Sequence, residues 1–203
     1  MKLSDYRGKW VVLETGSVTC NMYSRNIDKM AVVRRRHPDV EFLLVYVREA
    51  HPGSKLPQHN SIEDKRAAAE RLQRETSESR EILLDDMEGS MHRHYGAMPN
   101  MLYVIDPDGK VVYRHDWTLV DEVDRVLRNR DQPYTNEHAF SGELHAFGPK
   151  TTWHLFKTVG RGGWDAIWDL VRAMPVFLVR HLKVDRHYRQ RENKESRESG
   201  ADR

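Results

Sequence analysis

The sequence predicts an α/β fold in which a mixed central sheet is flanked by helices. Two apolar runs, 10–15 and 40–47, have the length and the branched or aromatic residues of strands. The second run is apolar almost throughout, which is typical of a strand buried on both faces by helices. A strong turn at 106–109 joins two later strands as a hairpin, while helical patterns separate the earlier ones. This order of elements predicts both parallel and antiparallel pairing.

The remaining elements follow from residue spacing and from helix-start and turn signals. The helix over 22–36 is expected to end before His37, because the residue ahead of Pro38 is disfavoured in helical geometry. Ser61 is the predicted N-cap of the next helix, with acidic residues in its first turn. The other predicted elements are a helix to about 75, a strand over 81–85, a short helix ending near 95–96, a strand over 101–105, a strand over 110–115 and a helix over 119–128.

The amino-acid composition limits the kinds of function that we expect for this protein. The 33 basic and 31 acidic residues give a net charge of +2, so no nucleic-acid partner is expected. The single cysteine excludes an internal disulfide and a C-x-x-C motif, and any disulfide must form with another molecule. The sequence contains neither the apolar core of a signal peptide nor an uncharged window of about 18 residues, so we expect a cytoplasmic protein.

The stretch 15–20 carries the candidate nucleophile, Cys20, between the first predicted strand and the next helix. Unpaired N–H groups and the helix dipole favour a thiolate there, so we expect an accessible thiol with a lowered pKa. Ser17 and Thr19 would donate hydrogen bonds to the sulfur, and Gly16 would let the backbone approach it. The alternative is that Cys20 is a small buried apolar residue, which is the commoner situation of a lone cysteine.

Four motifs stand in the same order across 3–117: Gly-Ser-Val-Thr-Cys at 16–20, a strand with a Glu-Ala-His-Pro loop at 42–52, a Pro-Gln-His segment at 57–64 and a stretch leading into a late strand at 95–105. Together they resemble the iodothyronine deiodinase family, within the thioredoxin-fold redoxins and peroxiredoxins. The residues Gly-Ser-Val-Thr-Cys at 16–20 are similar to the family's Gly-Ser-Cys-Thr-selenocysteine. The other three motifs resemble its strand and Glu-Ala-His-Pro loop (42–52), its Pro-Gln-His-x-x-x-Glu-Asp segment (57–64) and the stretch leading into its late strand (95–105). The resemblance implies a thioredoxin-like fold with a deiodinase-type loop insertion.

The resemblance also implies a role for each matched residue. Cys20 stands at the selenocysteine position and would accept the halogen, while Ser17 and Thr19 match the flanking hydroxyls. His51 would handle the proton, and Glu49 would orient the His51 ring. The expected substrate contacts are His59, Tyr23 and Pro99.

The expected activity is that of a thiol-dependent oxidoreductase that removes iodine from an aromatic substrate. No bound cofactor or metal is expected, and an external thiol must be the reductant because the chain has no resolving cysteine. His92 and His94 are two positions apart and project to different sides of a helix, which argues against a metal site.

Two other functions stay open. One is a one-cysteine peroxidase acting on peroxide, although Leu13 occupies the proline position of the peroxiredoxin Pro-x-x-x-Thr/Ser-x-x-Cys motif. The other is a non-enzymatic binding module on a redoxin scaffold, whose Cys20 would be buried and titrate near about 8.5.

We predict a thioredoxin-like domain of deiodinase type over 1–129, a C-terminal arm with an amphipathic helix over 130–184, and a charged, disordered tail over 185–203. In 164–182, apolar residues fall at helical spacing until Pro175 breaks the pattern. We favour packing of this C-terminal helical extension on the domain or on a second copy in a homodimer. Its tryptophans and flanking arginines make contact with a membrane surface the alternative.

Overall fold

Five strands form one sheet in the order β3-β2-β1-β4-β5 in the computed structural model, which describes residues 2–96, 98–132 and 149–176. β1 pairs in parallel with β2, and β2 in parallel with β3, whereas β4 runs antiparallel to both β1 and β5. The predicted mixed sheet and thioredoxin-like fold are confirmed. The strands are β1 Trp10–Gly16, β2 Val40–Tyr46, β3 Glu81–Leu84, β4 Leu102–Ile105 and β5 Val111–His115.

Helices cover the sheet, and one predicted helix is divided in two. The side-chain amide of Asn26 donates to the carbonyls of Met22 and Thr118, both at 3.0 Å, and so links the break in this helix to the loop that contains Thr118. The helices are α1 Asn21–Ser24, α2 Ile27–Arg36, α3 Ile62–Glu75, α4 Ser90–His94, α5 Val120–Arg128, α6 Pro149–Val159 and α7 over 164–176.

The start of α3 follows the prediction. The Ser61 hydroxyl accepts a hydrogen bond from the Asp64 N–H, and the Asp64 carboxylate accepts one from the Ser61 N–H, both at 3.1 Å. This reciprocal capping box satisfies two N–H groups that have no partner within the helix.

Both faces of the sheet are buried, as the apolar β2 run predicts. Phe42 packs with residues of α2 and α5, and Leu44 packs on the same face with residues of α3. Leu43 and Val45 point to the opposite face, where they join side chains from α4 and the short N-terminal turn Leu3–Tyr6.

Charged side chains lie in the core beneath α1. Glu14, 1% exposed in the central strand, accepts a hydrogen bond from Arg80 at 2.7 Å and one from the Asn100 amide at 3.1 Å. Arg80 also contacts Glu78 at 2.6 Å, and the Tyr23 hydroxyl donates to Glu78 at 2.5 Å. We call these five residues the Arg80 network; its charges are tolerated in the core because each one has a partner.

Residues 149–176 belong to the predicted C-terminal arm, and the name "arm" is used for this range from here on. The arm packs partly on the domain. Val159 and Ala166 are buried, while Trp164 on α7 is 81% exposed and Trp168 is 57% exposed. α7 stays helical through Pro175, where the sequence predicts a break. Contact of this helix with a second copy or with a membrane surface stays a prediction. Within the described ranges, no helix is both long and apolar enough to span a bilayer. The predicted tail, 185–203, lies outside them.

Candidate active site

Cys20 caps the start of α1 and is only 3% exposed. Burial raises the pKa of its thiol to about 12, against opposing hydrogen bonds from the N–H groups of Tyr23 and Met22. α1 has only four residues, so its dipole is small beside the cost of removing a thiolate from water. The prediction of an accessible Cys20 with a lowered pKa is therefore wrong.

The hydroxyls of Ser17 and Thr19 join two loops. Ser17 Oγ accepts a hydrogen bond from the Ala50 N–H at 3.2 Å. Thr19 Oγ1 donates to the Glu49 carboxylate at 2.7 Å and accepts from the His51 N–H at 3.0 Å. These hydroxyls therefore hold the 49–51 segment against the residues that precede Cys20, whereas the sequence interpretation had them donate to the sulfur.

Glu49 is the buried carboxylate of the site. It accepts hydrogen bonds from the Thr19 N–H at 3.1 Å, from the Thr19 hydroxyl and from the Tyr46 hydroxyl. Burial alone would raise the pKa of Glu49, but the contact with His59 and the hydrogen bonds from Tyr46 and Thr19 outweigh it and lower the pKa. Glu49 is therefore ionised at neutral pH.

His59 is the histidine whose ring contacts Glu49. Its side chain is 4% exposed, and its Nε2 lies 3.5 Å from Oε1 of Glu49. At this distance the contact is electrostatic, and Nε2 has no hydrogen-bond partner in the described part of the chain. The His59 ring also packs against Tyr46, with 5.7 Å between the ring centroids.

His51 does not occupy the expected place on the Glu49 carboxylate. Residues two apart share one face only in an extended segment, whereas β2 ends at Tyr46 and the chain bends after it. His51 is instead fixed through its backbone N–H on Thr19. Burial lowers the pKa of the His51 imidazole, and the charge of Glu49 opposes this only in part. His51 is therefore neutral at neutral pH.

Two further residues belong to the site and were not predicted. Gln58 holds the Glu49 backbone at two points: its Oε1 accepts from the Glu49 N–H at 3.2 Å, and its Nε2 donates to the Glu49 carbonyl at 2.7 Å. The Tyr46 hydroxyl accepts from the Val18 N–H at 3.2 Å and donates to Glu49. Both residues lie inside motifs that could have identified them: Gln58 in the Pro-Gln-His segment, and Tyr46 in the strand of the 42–52 motif.

Tyr23 is not a substrate contact. Its side chain is fully buried, its hydroxyl donates to Glu78, and a Cβ on Gly16 would lie 2.5 Å from its ring. The prediction for Tyr23 is wrong because this aromatic side chain belongs to the core under α1. Pro99 is half-buried ahead of Asn100, whose amide donates to the Thr15 carbonyl at 2.9 Å, so its turn lies near the end of β1.

The two histidines of α4 bind backbone carbonyls. The His92 ring lies 2.8 Å from the Met98 carbonyl, and the His94 ring 2.6 Å from the Ser90 carbonyl. Among the residues that the structure describes, no group of three or more His, Cys, Asp or Glu side chains is arranged to hold a metal ion.

Comparison of folds gives a distant structural relative. An uncharacterized conserved protein from Geobacillus kaustophilus superposes with a TM-score of 0.53 at 14% identity, covering 68% of this chain and 76% of that protein. At this identity the likeness shows a shared fold.

Comparison of sequences gives closer relatives. The thyroxine 5-deiodinase of Sus scrofa is 34% identical over 136 residues, which cover 60% of this chain and 44% of that protein. The type I iodothyronine deiodinase of Xenopus laevis is 30% identical over 113 residues, which cover 51% of this chain and 44% of that protein. The chain thus spans less than half the length of these relatives. The sequence model of the iodothyronine deiodinase family matches residues 3–127, well over half of the 203 residues. The chain belongs to the iodothyronine deiodinase family.

Proposed function

We propose that this protein is a thiol-dependent oxidoreductase that removes iodine reductively from an iodinated aromatic compound. In this proposal Cys20 is the nucleophile and an external thiol is the reductant. Membership of the deiodinase family supports thiol-dependent redox chemistry. The reaction itself rests on the arrangement of the residues around Thr19.

The observation that carries the proposal is the set of hydrogen bonds made by Thr19, the residue directly before Cys20. Its N–H and hydroxyl donate to Glu49, and its hydroxyl oxygen accepts from the His51 N–H. A nucleophile of low acidity needs a base nearby, and the base needs a group that fixes its position. Thr19 joins the two loops that carry these groups.

The resting site holds a neutral thiol and a neutral imidazole, because burial raises the pKa of Cys20 and lowers that of His51. Deprotonation therefore accompanies the attack. His51 accepts the thiol proton as the sulfur attacks iodine, and the ionised Glu49 stabilises the imidazolium as it forms. The C–I bond breaks, an S–I bond forms, and the ring carbon takes the proton.

Two molecules of external thiol then restore Cys20. The first attacks the sulfur of the sulfenyl iodide, which releases iodide and leaves a mixed disulfide. The second attacks the mixed disulfide and frees the Cys20 thiol. In total, one aryl iodide is reduced to the hydrogen-substituted ring, two thiols are oxidised to one disulfide, and hydrogen iodide is released.

His59 has a separate part in the proposal. Its buried Nε2 lies beside an ionised carboxylate and has no hydrogen-bond partner among the described residues. A buried polar atom in this situation gains free energy when a ligand supplies a partner. His59 therefore binds a polar group of the aromatic substrate and orients its C–I bond.

The test measures iodide release from iodothyronines and iodotyrosines with dithiothreitol, in parallel with peroxide consumption. We expect iodide release by the wild-type chain, none by Cys20→Ser, and a rate lower by about 10²–10⁴ for His51→Ala. His94→Ala is the control, because His94 is exposed and contacts only its own helix turn among the described residues. Peroxide turnover without iodide release would instead favour the one-cysteine peroxidase. Inactivity in both assays would favour the non-enzymatic binding module.

A further inference from the structure

The arm, 149–176, lies beyond the part of the chain that matches the deiodinase family, 3–127. It nevertheless contacts the segment that carries His51. Gly162 approaches the His51 carbonyl so closely that a Cβ on it would lie 2.7 Å from that oxygen. The Lys55 N–H donates to the Gly162 carbonyl at 2.8 Å. A Cβ on Gly53 would lie 2.4 Å from the same Gly162 oxygen, so the two backbones touch.

A charged side chain of the arm reinforces this contact. Asp165, in the first turn of α7, accepts hydrogen bonds from the N–H of Ser54 at 2.6 Å and from its hydroxyl at 2.9 Å. These bonds to Ser54 lower the pKa of Asp165, so the carboxylate is charged at neutral pH. Bonds to a charged acceptor are stronger than neutral ones.

The arm also contacts the Cys20 side of the site. Ser24, in the helix that Cys20 caps, lies 3.1 Å from the His154 ring and 3.1 Å from the Thr158 hydroxyl, both on α6. Arg161 reaches the carbonyl of Val18, two residues before Cys20, at 3.4 Å. One continuous segment thus contacts both loops of the site.

We propose that the arm is a positioning element of the active site, in which Asp165 holds the Ser54 turn so that His51 stays fixed relative to Cys20. This proposal rests on the proposed function for its kinetic part. The 48–60 segment has little regular structure of its own: its ordered backbone pairing is one bridge between Gly53 and Leu56. Asp165 therefore supplies an external anchor at the tip of this segment.

A misplaced proton carrier lowers the rate of the chemical step more than substrate affinity. A displacement of about 1 Å can cost on the order of 10²-fold in rate. Because Asp165 lies at the surface and touches neither Cys20 nor His51 among the described contacts, its removal should alter positioning and leave the core intact. Release of the segment would also expose the His51 ring to water. Because burial lowers the pKa of His51, this exposure would raise it.

The experiment compares the 203-residue wild-type chain with Asp165→Ala, Ser54→Ala, the double variant and Asp169→Ala. Asp169 is an exposed aspartate one turn further along α7, and so it is a matched control. The readouts are amide hydrogen exchange of 50–56, the kcat and KM of iodide release, and the pH profile of kcat.

We expect amide exchange in 50–56 to rise by about tenfold or more in Asp165→Ala, to rise less in Ser54→Ala, which keeps the backbone N–H bond to Asp165, and to stay unchanged in Asp169→Ala. The kcat should fall by about tenfold with little change in KM, and the acid limb of the pH profile should move to higher pH as His51 becomes more solvated. The double variant should lose no more than Asp165→Ala alone, because Asp165→Ala removes both hydrogen bonds, whereas Ser54→Ala removes only the one from the hydroxyl.

Unchanged exchange in 50–56 for Asp165→Ala would overturn the proposal, as would additive effects in the double variant. The exchange measurement does not depend on turnover. A chain that releases no iodide but shows the expected exchange changes therefore contradicts the proposed function and supports the positioning role of the arm.

Discussion

Replacing Cys20 with alanine removes a buried thiol, and the variant should therefore lose less stability in alkali than the wild-type chain. The folded-state pKa of Cys20 is raised to about 12 from an ordinary value of 9.0. Because the folded value is the higher one, the stabilisation is complete below pH 9 and is lost as the pH rises through 12.

The size of the effect follows from these two values. A difference of one pKa unit corresponds to about 1.4 kcal/mol, so complete titration removes about 4 kcal/mol. At about pH 10.5, midway between the two pKa values, about 2 kcal/mol has been lost. Lysine and tyrosine side chains titrate in both proteins, so their contributions cancel in the comparison.

The assay is urea unfolding of the wild-type chain and Cys20→Ala at about pH 8 and about pH 10.5. We expect the wild-type chain to lose about 2 kcal/mol more unfolding free energy over this interval than the variant. The cavity left by alanine lowers stability equally at both pH values and does not affect the difference. Equal losses in the two proteins would refute the reasoning, since the thiol would then be open to solvent.

Three other substitutions test the packing around the site by urea unfolding. Arg80→Met should destabilise the fold by about 3–5 kcal/mol, because it leaves the carboxylates of Glu14 and Glu78 buried without their cation; a loss below about 1 kcal/mol would contradict this. Gly16→Ala should cost about 1–3 kcal/mol because the new Cβ meets the buried Tyr23 ring, and a neutral result would mean that the ring can move. Ser61→Ala should cost about 1 kcal/mol through the lost cap of α3, with no effect expected if the α3 terminus frays freely.

Sequence patterns predicted a helix or strand boundary correctly where neighbouring residues determine that boundary. The cap of α3 depends on Ser61 and Asp64, three residues apart, and it formed as expected. The break between α1 and α2 depends on Thr118, 92 positions away from Asn26, which no local pattern reports. A helix boundary that depends on a residue distant in sequence can be located only from the tertiary structure.

The site shows the same division. The motifs and their order identified Thr19, Glu49 and His59 as site residues, and the structure places these residues in contact around the Glu49 carboxylate. The burial of Cys20 could not be read from its neighbours, because burial depends on everything that packs over α1. The contact of Glu49 with His59 rather than His51 depends on a bend after β2, and rules for extended strands do not apply there.

The Arg80 network has a consequence for how the chain is made. Glu14 lies in the central strand, 66 positions before Arg80 in the sequence. At about 5–20 residues per second, a ribosome synthesises this interval in roughly 3 to 13 seconds. Until Arg80 emerges, burying the β1 carboxylate would leave its charge uncompensated. We therefore expect the apolar β1 and β2 segments of the nascent chain to stay exposed, and accessible to chaperones, until synthesis has passed Arg80.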